Sequence, residues 1–151
     1  MDKWWIDEPV LLGSSNPTDA DLKQLIADGF SVIICLLDLD EHQPAYSRCP
    51  AAAAGWEWHN ISIRDFAAPT VLQIEQFLAL VASSIPQKKV VVHCRGGIGR
   101  TGTMAAAYWM TKGLSSQSAI VHTRERRPYA VENRHQETAL VEFEKSRALK
   151  S

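Results

Sequence analysis

The run Val90-Val91-Val92-His93 passes directly into Cys94-Arg95-Gly96-Gly97-Ile98-Gly99-Arg100-Thr101-Gly102-Thr103. No other stretch restricts the fold as much. An unbroken apolar run bounded by turn residues fits a strand covered on both faces, as in a parallel sheet packed between helices. A glycine-rich turn follows, and then an alanine-rich helical pattern. Strand, turn and helix in immediate succession make an α/β layer. They place the turn at a strand's C-terminal end, where sites in such folds gather.

The remaining periodicity agrees. Residues 30–37 form a second run, apolar but for Ser31, and 10–12 a short β-rich one. Trp56-Glu57-Trp58-His59-Asn60-Ile61-Ser62-Ile63 alternates, as a strand with one wetter face does. Helical patterns lie between. Residues 17–28 carry Leu22, Leu25 and Ile26 on one face and stop at Gly29. Residues 70–83 carry Ile74, Phe77, Leu78 and Val81 and open with Thr70 and Gln73 at capping-box spacing. Further helices are expected over 99–112, ended by Gly113, over 116–127, halted by Pro128, and over 133–149. The prediction is an α/β fold whose mainly parallel central sheet of about four to five strands is flanked by helices. At 151 residues the chain reads as one domain spanning 1–151, within the rule of roughly 100–200 residues per domain. No repeat, low-complexity tract or linker interrupts it, and the alanines at 51–54 read as a small helical turn.

Charge and cysteine usage narrow the function classes. Sixteen Lys and Arg balance 17 Asp and Glu for a net charge of −1. That is not the basic field of a general nucleic-acid binder, so no nucleic-acid partner is expected. A local basic pocket is invisible to such a total. The three cysteines, Cys35, Cys49 and Cys94, are too few and odd for a disulfide framework. With no Cys-x-x-Cys pair and no ligand spacing among the five histidines, no metal and no cofactor are expected. The start is charged on both sides of a short apolar step, unlike a signal peptide. The longest wholly apolar runs, 32–37 and 104–110, fall far below the ~20 residues that span a bilayer. The expectation is a soluble, cytoplasmic monomer without a membrane partner, its thiols kept reduced.

One of those thiols stands where it can react. Glycines let successive backbone N–H groups turn inward, and such a nest at a helix N-terminus binds an anion. Phosphate is its natural guest, with Arg95, Gly96, Gly97, Ile98, Gly99 and Arg100 as the phosphate-binding residues. Arg100 can grip two phosphate oxygens with its planar fork. Cys94 sits at the rim of the nest, whose dipoles stabilise a thiolate. A thiolate under a bound phosphate is placed for in-line attack on phosphorus. His93 is expected to hold the loop by hydrogen bonds, and Thr101 to donate to the sulfur or assist its departure. The leaving oxygen needs a proton, so a carboxylic acid belongs at the pocket mouth. Asp65, just past the C-terminal end of the 56–63 strand, is the candidate. Asp38, Asp40 and Glu41 follow another strand and read as solvated loop residues.

The string His-Cys-x-x-Gly-x-Gly-Arg-Thr-Gly over 93–102 resembles the signature loop of the cysteine-dependent protein tyrosine phosphatase superfamily. Within it, the short length and flanking text are similar to the compact dual-specificity phosphatases of archaeal and small atypical animal kind. Ile63-Arg64-Asp65-Phe66 followed by Pro69, Arg126-Arg127-Pro128, and Ala130-Val131-Glu132-Asn133 leading to Gln136 add to the likeness. The resemblance implies a two-step, metal-free reaction through a phosphocysteine, on phosphotyrosine and on phosphoserine and phosphothreonine in proteins. It implies that Asp65 is the acid, although Arg64 stands where similar enzymes have proline. It also implies that Gln136 positions the hydrolytic water. Asn133 and Gln136 have capping-box spacing as well, so Asn133 reads as an N-cap supporting the pocket wall. Alternatives are the same chemistry on a phosphoinositide or an RNA 5′-triphosphate, and, from a different class, an inactive phosphate-binding module.

Other features have plainer readings. Arg124-Glu125-Arg126-Arg127 complements a helix C-terminal dipole and nearby carboxylates. Arg95 projects toward the pocket mouth. Trp4, Trp5, Trp56, Trp58 and Trp109 pack the interior. Cys35 is a small buried hydrophobe, the alternative being a disulfide with Cys94 under oxidation.

Overall fold

The computed structural model describes residues 1–48 and 56–150, so Cys49 and the helical turn expected at 51–54 lie outside the described residues. The strands are β1 (Lys3–Asp7), β2 (Leu11–Ser14), β3 (Phe30–Leu37), β4 (Glu57–Ile63) and β5 (Lys89–His93). The helices are α1 (Asp19–Ala27), α2 (Val71–Ser84), α3 (Gly99–Met110), α4 (Ser116–Arg126) and α5 (Arg134–Lys150). One sheet has the order β1-β2-β5-β3-β4. β2, β5, β3 and β4 run parallel, and β1 pairs antiparallel with β2. The mainly parallel α/β sheet expected from the sequence is therefore present, with five strands.

β1 is the element that periodicity missed. Lys3-Trp4-Trp5-Ile6-Asp7 has charges at both ends and two adjacent tryptophans, so it shows no clean alternation. In the sheet, Trp4 and Ile6 are buried. β4 is an edge strand, half-buried along most of its length. Its alternation appears only at the end, where Ile61 and Ile63 are buried and Ser62 is exposed.

Both faces of the sheet are covered, which explains the unbroken apolar runs. Val90 and Val92 face a core that includes Phe77 of α2, Met104 of α3 and Leu140 of α5. Val91 faces the other side, with Leu22 and Leu25 of α1. α3 is nearly all buried, and its small residues Ala105, Ala106 and Ala107 let it lie close to its neighbours. Trp4 and Trp56 are buried, while Trp5, Trp58 and Trp109 pack partly buried against the two cores. The expected capping box at Thr70 and Gln73 opens α2, and Thr18 with Asp21 makes another at α1.

The topology sets the site. Ser14 of β2 and Cys35 of β3 both pair in register with His93 of β5. β2 and β5 thus end level, and β3 runs on to Leu37 beside the segment that contains Cys94.

Candidate active site

β5 ends at His93 and α3 begins at Gly99, so residues 94–98 turn tightly between them. Gly97 takes φ +75, and a Cβ there would lie 2.6 Å from the Ser14 carbonyl carbon and the Ser15 nitrogen. Only glycine fits a left-handed turn pressed against the end of β2. Cys94 is 2% exposed. It borders a pocket of about 220 Å³, whose walls include Asp65, Phe66, Arg95, Ile98 and Arg100. Its Sγ accepts hydrogen bonds from the Gly97 N–H at 3.3 Å and the Thr101 hydroxyl at 3.1 Å.

The loop's carbonyls are held from outside. Cys94 O accepts from His93 Nδ1 at 3.2 Å, Arg95 O from the Asn16 N–H at 3.1 Å, and Gly97 O from Trp4 Nε1 at 2.9 Å. Outward carbonyls are what a nest of inward N–H groups requires.

His93 is fully buried. Its Nδ1 faces a carbonyl, which can only accept, so the proton sits on Nδ1 and Nε2 is the acceptor. Nε2 accepts a hydrogen bond from the Tyr46 hydroxyl at 2.8 Å, and Tyr46 Oη accepts from Trp58 Nε1 at 2.9 Å. Burial is the main cause that pushes His93 down to about 4, so the ring stays neutral. Burial likewise pushes the Tyr46 hydroxyl up, so it remains a donor.

Arg100, at 3% side-chain exposure, donates from Nη1 to Ile63 O at 2.8 Å and from Nη2 to Asp65 Oδ1 at 3.1 Å. Asp65 Oδ2 lies 3.7 Å from Arg95 Nη1, whose side chain is 61% exposed toward the mouth. The structure thus brings Cys94, Arg100, Asp65, Thr101 and His93 to one place. Asp65 stands just beyond β4, followed by Phe66 at φ 64. Arg64 turns to the loop after β3, with Nε 3.2 Å from Glu41 Oε1 and 3.9 Å from Asp38 Oδ2. Glu41 also accepts the Asp65 N–H at 3.0 Å. Hydrogen bonds from that N–H, first, and from Arg64 hold its carboxyl below the usual range. Glu41 was expected as a solvated loop residue. It is exposed, but it holds two consecutive residues of the Asp65 loop.

Asn133 and Gln136 hold the same loop from the opposite side. Asn133 Oδ1 accepts the Gln136 N–H at 3.0 Å, as an N-cap does, and its Nδ2 donates to Phe66 O at 2.8 Å. The buried Gln136 amide accepts the Glu132 N–H at 2.8 Å and donates to Ala67 O at 3.2 Å. Gln136 therefore bridges two loops behind the pocket. Glu132 borders the pocket itself. Burial, then the charge of Asp65, pushes its carboxyl up. A Cβ on Gly99 would lie 2.0 Å from Glu132 Oε1, so glycine there leaves the room Glu132 occupies. Arg124 was read as complementing a helix end. It does pair with Glu137 at 3.0 Å, but it also donates to Ala130 O and Val131 O, holding the turn that leads to Glu132.

Sequence reasoning missed Glu132, Tyr46 and Trp4. Glu132 lies inside a segment already marked by resemblance. Tyr46 and Trp4 act across 47 and 93 residues of chain, which no local pattern encodes. Among the described residues, no three His, Cys, Asp or Glu side chains could hold a metal ion. Cys35 and Cys94 are both free thiols, and burial pushes the Cys35 thiol up. Among the described residues, no helix is long and apolar enough to cross a membrane.

Known proteins are similar to this chain in sequence and fold. Residues 10–114 match the family described as "Tc-R-P: Polymorphic toxin system, DSP-PTPase phosphatase". The crystal structure of Tk-PTP in the active form is 34% identical with a TM-score of 0.86, covering 95% of this chain and 96% of that one. Mouse protein tyrosine phosphatase domain-containing protein 1 is 26% identical over 134 residues, 81% of this chain but 18% of the relative. The chain spans less than a fifth of the first curated relatives it matches. PTPMT1 in complex with PI(5)P shares the fold, with a TM-score of 0.86 at 21% identity over 98% of this chain and 97% of that one. The match over 10–114 and the likeness to Tk-PTP place this chain in the DSP-PTPase phosphatase family, among the cysteine-based protein tyrosine phosphatases.

Proposed function

We propose that this protein hydrolyses phosphotyrosine, and phosphoserine and phosphothreonine, in protein substrates through a phosphocysteine intermediate. The observation that carries this reading is that Cys94 lines a pocket of about 220 Å³ together with Arg100 and Asp65, which are paired to each other. Arg100 turns its fork from Asp65 to two phosphoryl oxygens. The Cys94 thiolate attacks phosphorus, forming an S–P bond as the P–O bond to the side chain breaks. Asp65 gives its proton to the departing oxygen and becomes the base for the water that follows. That water attacks phosphorus and releases inorganic phosphate and the thiolate, which the Thr101 hydroxyl stabilises. Gln136, bonded to both Glu132 and Ala67, keeps the wall from which the water approaches.

Protein substrates are supported by the pocket rim. Phe66, 65% exposed beside Asp65, offers an apolar surface to the side chain that bears the phosphate. The phosphoinositide of the PTPMT1 complex is the competing substrate class, and Arg95 at the mouth is what would favour it.

The test is metal-free hydrolysis of p-nitrophenyl phosphate by wild type, Cys94→Ser, Arg100→Lys and Asp65→Asn. It is followed by a panel of phosphopeptides, phosphoinositides and triphosphorylated RNA. Loss of activity in Cys94→Ser and Arg100→Lys is expected. Asp65→Asn should harm an alkyl phosphate more than the nitrophenyl ester, whose leaving group needs the proton less. Full activity in Cys94→Ser would sink the mechanism, and a preference for lipid or RNA would sink the substrate class.

A further inference from the structure

We propose that Trp4 is a positioning residue of the phosphate loop: its indole N–H fixes the Gly97–Ile98 peptide so that the Ile98 N–H faces the bound phosphate. The proposal deepens the reading above, since it rests on the loop binding phosphate.

Trp4 lies on β1, with β2 between it and β5. Neighbouring strands are about 4.8 Å apart, so β1 runs roughly 10 Å from the strand that carries Cys94. The indole crosses that gap at Gly13, its register partner on β2. A Cβ on Gly13 would lie 3.0 Å from two indole atoms of Trp4 and 3.0 Å from Thr101 Cγ2. Glycine there makes the passage through which the ring reaches the loop. An indole has one donor and no acceptor. In Trp4 that donor goes to Gly97 O at 2.9 Å, in a buried contact.

The consequence follows from peptide geometry. The Gly97–Ile98 bond is trans, since the two cis peptides of the described residues are at Pro9 and Pro86. In a trans peptide C=O and N–H point in opposite directions. Drawing Gly97 O outward therefore turns the Ile98 N–H inward, and Ile98 borders the pocket. Asn16 N–H does the same for Arg95 O, which turns in the Gly96 N–H, and His93 for Cys94 O. The Gly97 peptide needs an outside hold most. Gly97 is at φ +75 next to Gly96, and glycine has little preference of its own between alternative peptide orientations. Trp4 supplies that preference from a strand otherwise remote from the chemistry.

The experiment uses the full chain in the Cys94→Ser background, which cannot form the phosphocysteine. Inorganic phosphate is titrated calorimetrically into that parent, into Trp4→Phe, and into a variant with 3-benzothienylalanine at position 4. The last keeps the ring shape and removes the N–H. Loss of one neutral hydrogen bond predicts phosphate affinity about three- to tenfold weaker in both variants. The benzothienyl variant leaves the buried Gly97 O without its donor, so its melting temperature should fall by several degrees while it stays folded at the temperature of the titration. In the Cys94 protein the same replacement should raise KM and the phosphate inhibition constant more than it lowers kcat. Trp5→Phe, stacked on Phe30 away from the loop, should bind phosphate as the parent does. Should Trp4→Phe fail to fold, the benzothienyl variant decides. Phosphate affinity within twofold of the parent in that variant overturns the proposal. A parent that binds no phosphate overturns both the proposal and the phosphatase reading. Phosphate binding that weakens as expected, in a protein that hydrolyses no phosphomonoester, overturns the phosphatase reading alone.

Discussion

Replacing Tyr46 with phenylalanine removes a single oxygen and leaves one acceptor and one donor without their partner. His93 Nε2 loses the hydroxyl donor at 2.8 Å, and Trp58 Nε1 loses its acceptor at 2.9 Å. The two losses differ in weight. His93 is fully buried, so no water can replace the missing donor. An orphaned buried acceptor costs about 1–3 kcal/mol. Trp58 is only partly buried, and water can take its N–H, so its share is about 0.5 kcal/mol, the low end for a neutral bond. The ring cannot escape the penalty by shifting its proton to Nε2, because Nδ1 would then lose Cys94 O. Nor can it charge cheaply, because burial already pushes its pKa down to about 4. The sum is a destabilisation of about 1.5–3.5 kcal/mol. For a chain of this length that is a fall in Tm of roughly 3–14 °C, at about 2–4 °C per kcal/mol. Urea unfolding followed by tryptophan fluorescence measures the difference, and an unchanged m-value would keep the loss in the folded state. A Tyr46→Phe protein within 0.5 kcal/mol of wild type, on the scale set by surface substitutions, would refute the assignment of proton and acceptor along the Trp58–Tyr46–His93–Cys94 line.

Three further outcomes are expected. His93 titrates near 4 when folded and near 6.5 when unfolded, so its contribution is complete above about pH 6.5 and is lost as pH falls toward 4; linkage gives a drop of about 2 kcal/mol between pH 6.5 and 4.5, read from urea midpoints, and a His93→Asn protein should lack that part of the slope. Glu41→Ala removes the acceptor of both the Asp65 N–H and Arg64 Nε. It should lower kcat roughly three- to tenfold on an alkyl phosphate, the worth of a displaced hydrogen bond, but hardly on p-nitrophenyl phosphate; equal effects on both would show that the brace does not serve the acid. Gly97→Ala places a Cβ 2.6 Å from the end of β2 at a φ of +75. The left-handed backbone alone costs about 1–2 kcal/mol, so phosphate binding should vanish and Tm should fall, and an alanine variant that still binds phosphate would contradict the packing described.

Legibility in the sequence followed the range of the forces involved. β5, the loop and α3 are consecutive, so their periodicity and glycines were readable from Val90 to Thr103. The helix starts at Thr18 and Thr70 are local hydrogen-bond devices, and the Thr70 box was visible as a spacing. Asp65 was found because it follows a strand, and the geometry sets its carboxylate against Arg100. What stayed hidden is long-range. Trp4 looked like any apolar anchor, since nothing in Lys3-Trp4-Trp5 says that one indole reaches a carbonyl 93 residues away. Glu41 looked like a surface charge because its two partners belong to another strand's loop. Tyr46 sits in a segment without periodicity beyond the end of β3, and its contact with His93 spans 47 residues of chain.

The position of each strand divides the site into parts with different freedom. Cys94 and its loop leave β5, which is paired on both sides and lies at the centre of the sheet. Asp65 leaves β4, which has a neighbour on one side only. The glycine-rich loop is thus built onto the central strand, while Asp65 hangs from the margin of the sheet, tied by a few side chains such as Glu41 and Asn133. Changes to those ties would move the rim while leaving Cys94 and its loop in place, so the edge of the sheet is where the width of the pocket mouth can be altered with least disturbance to the centre.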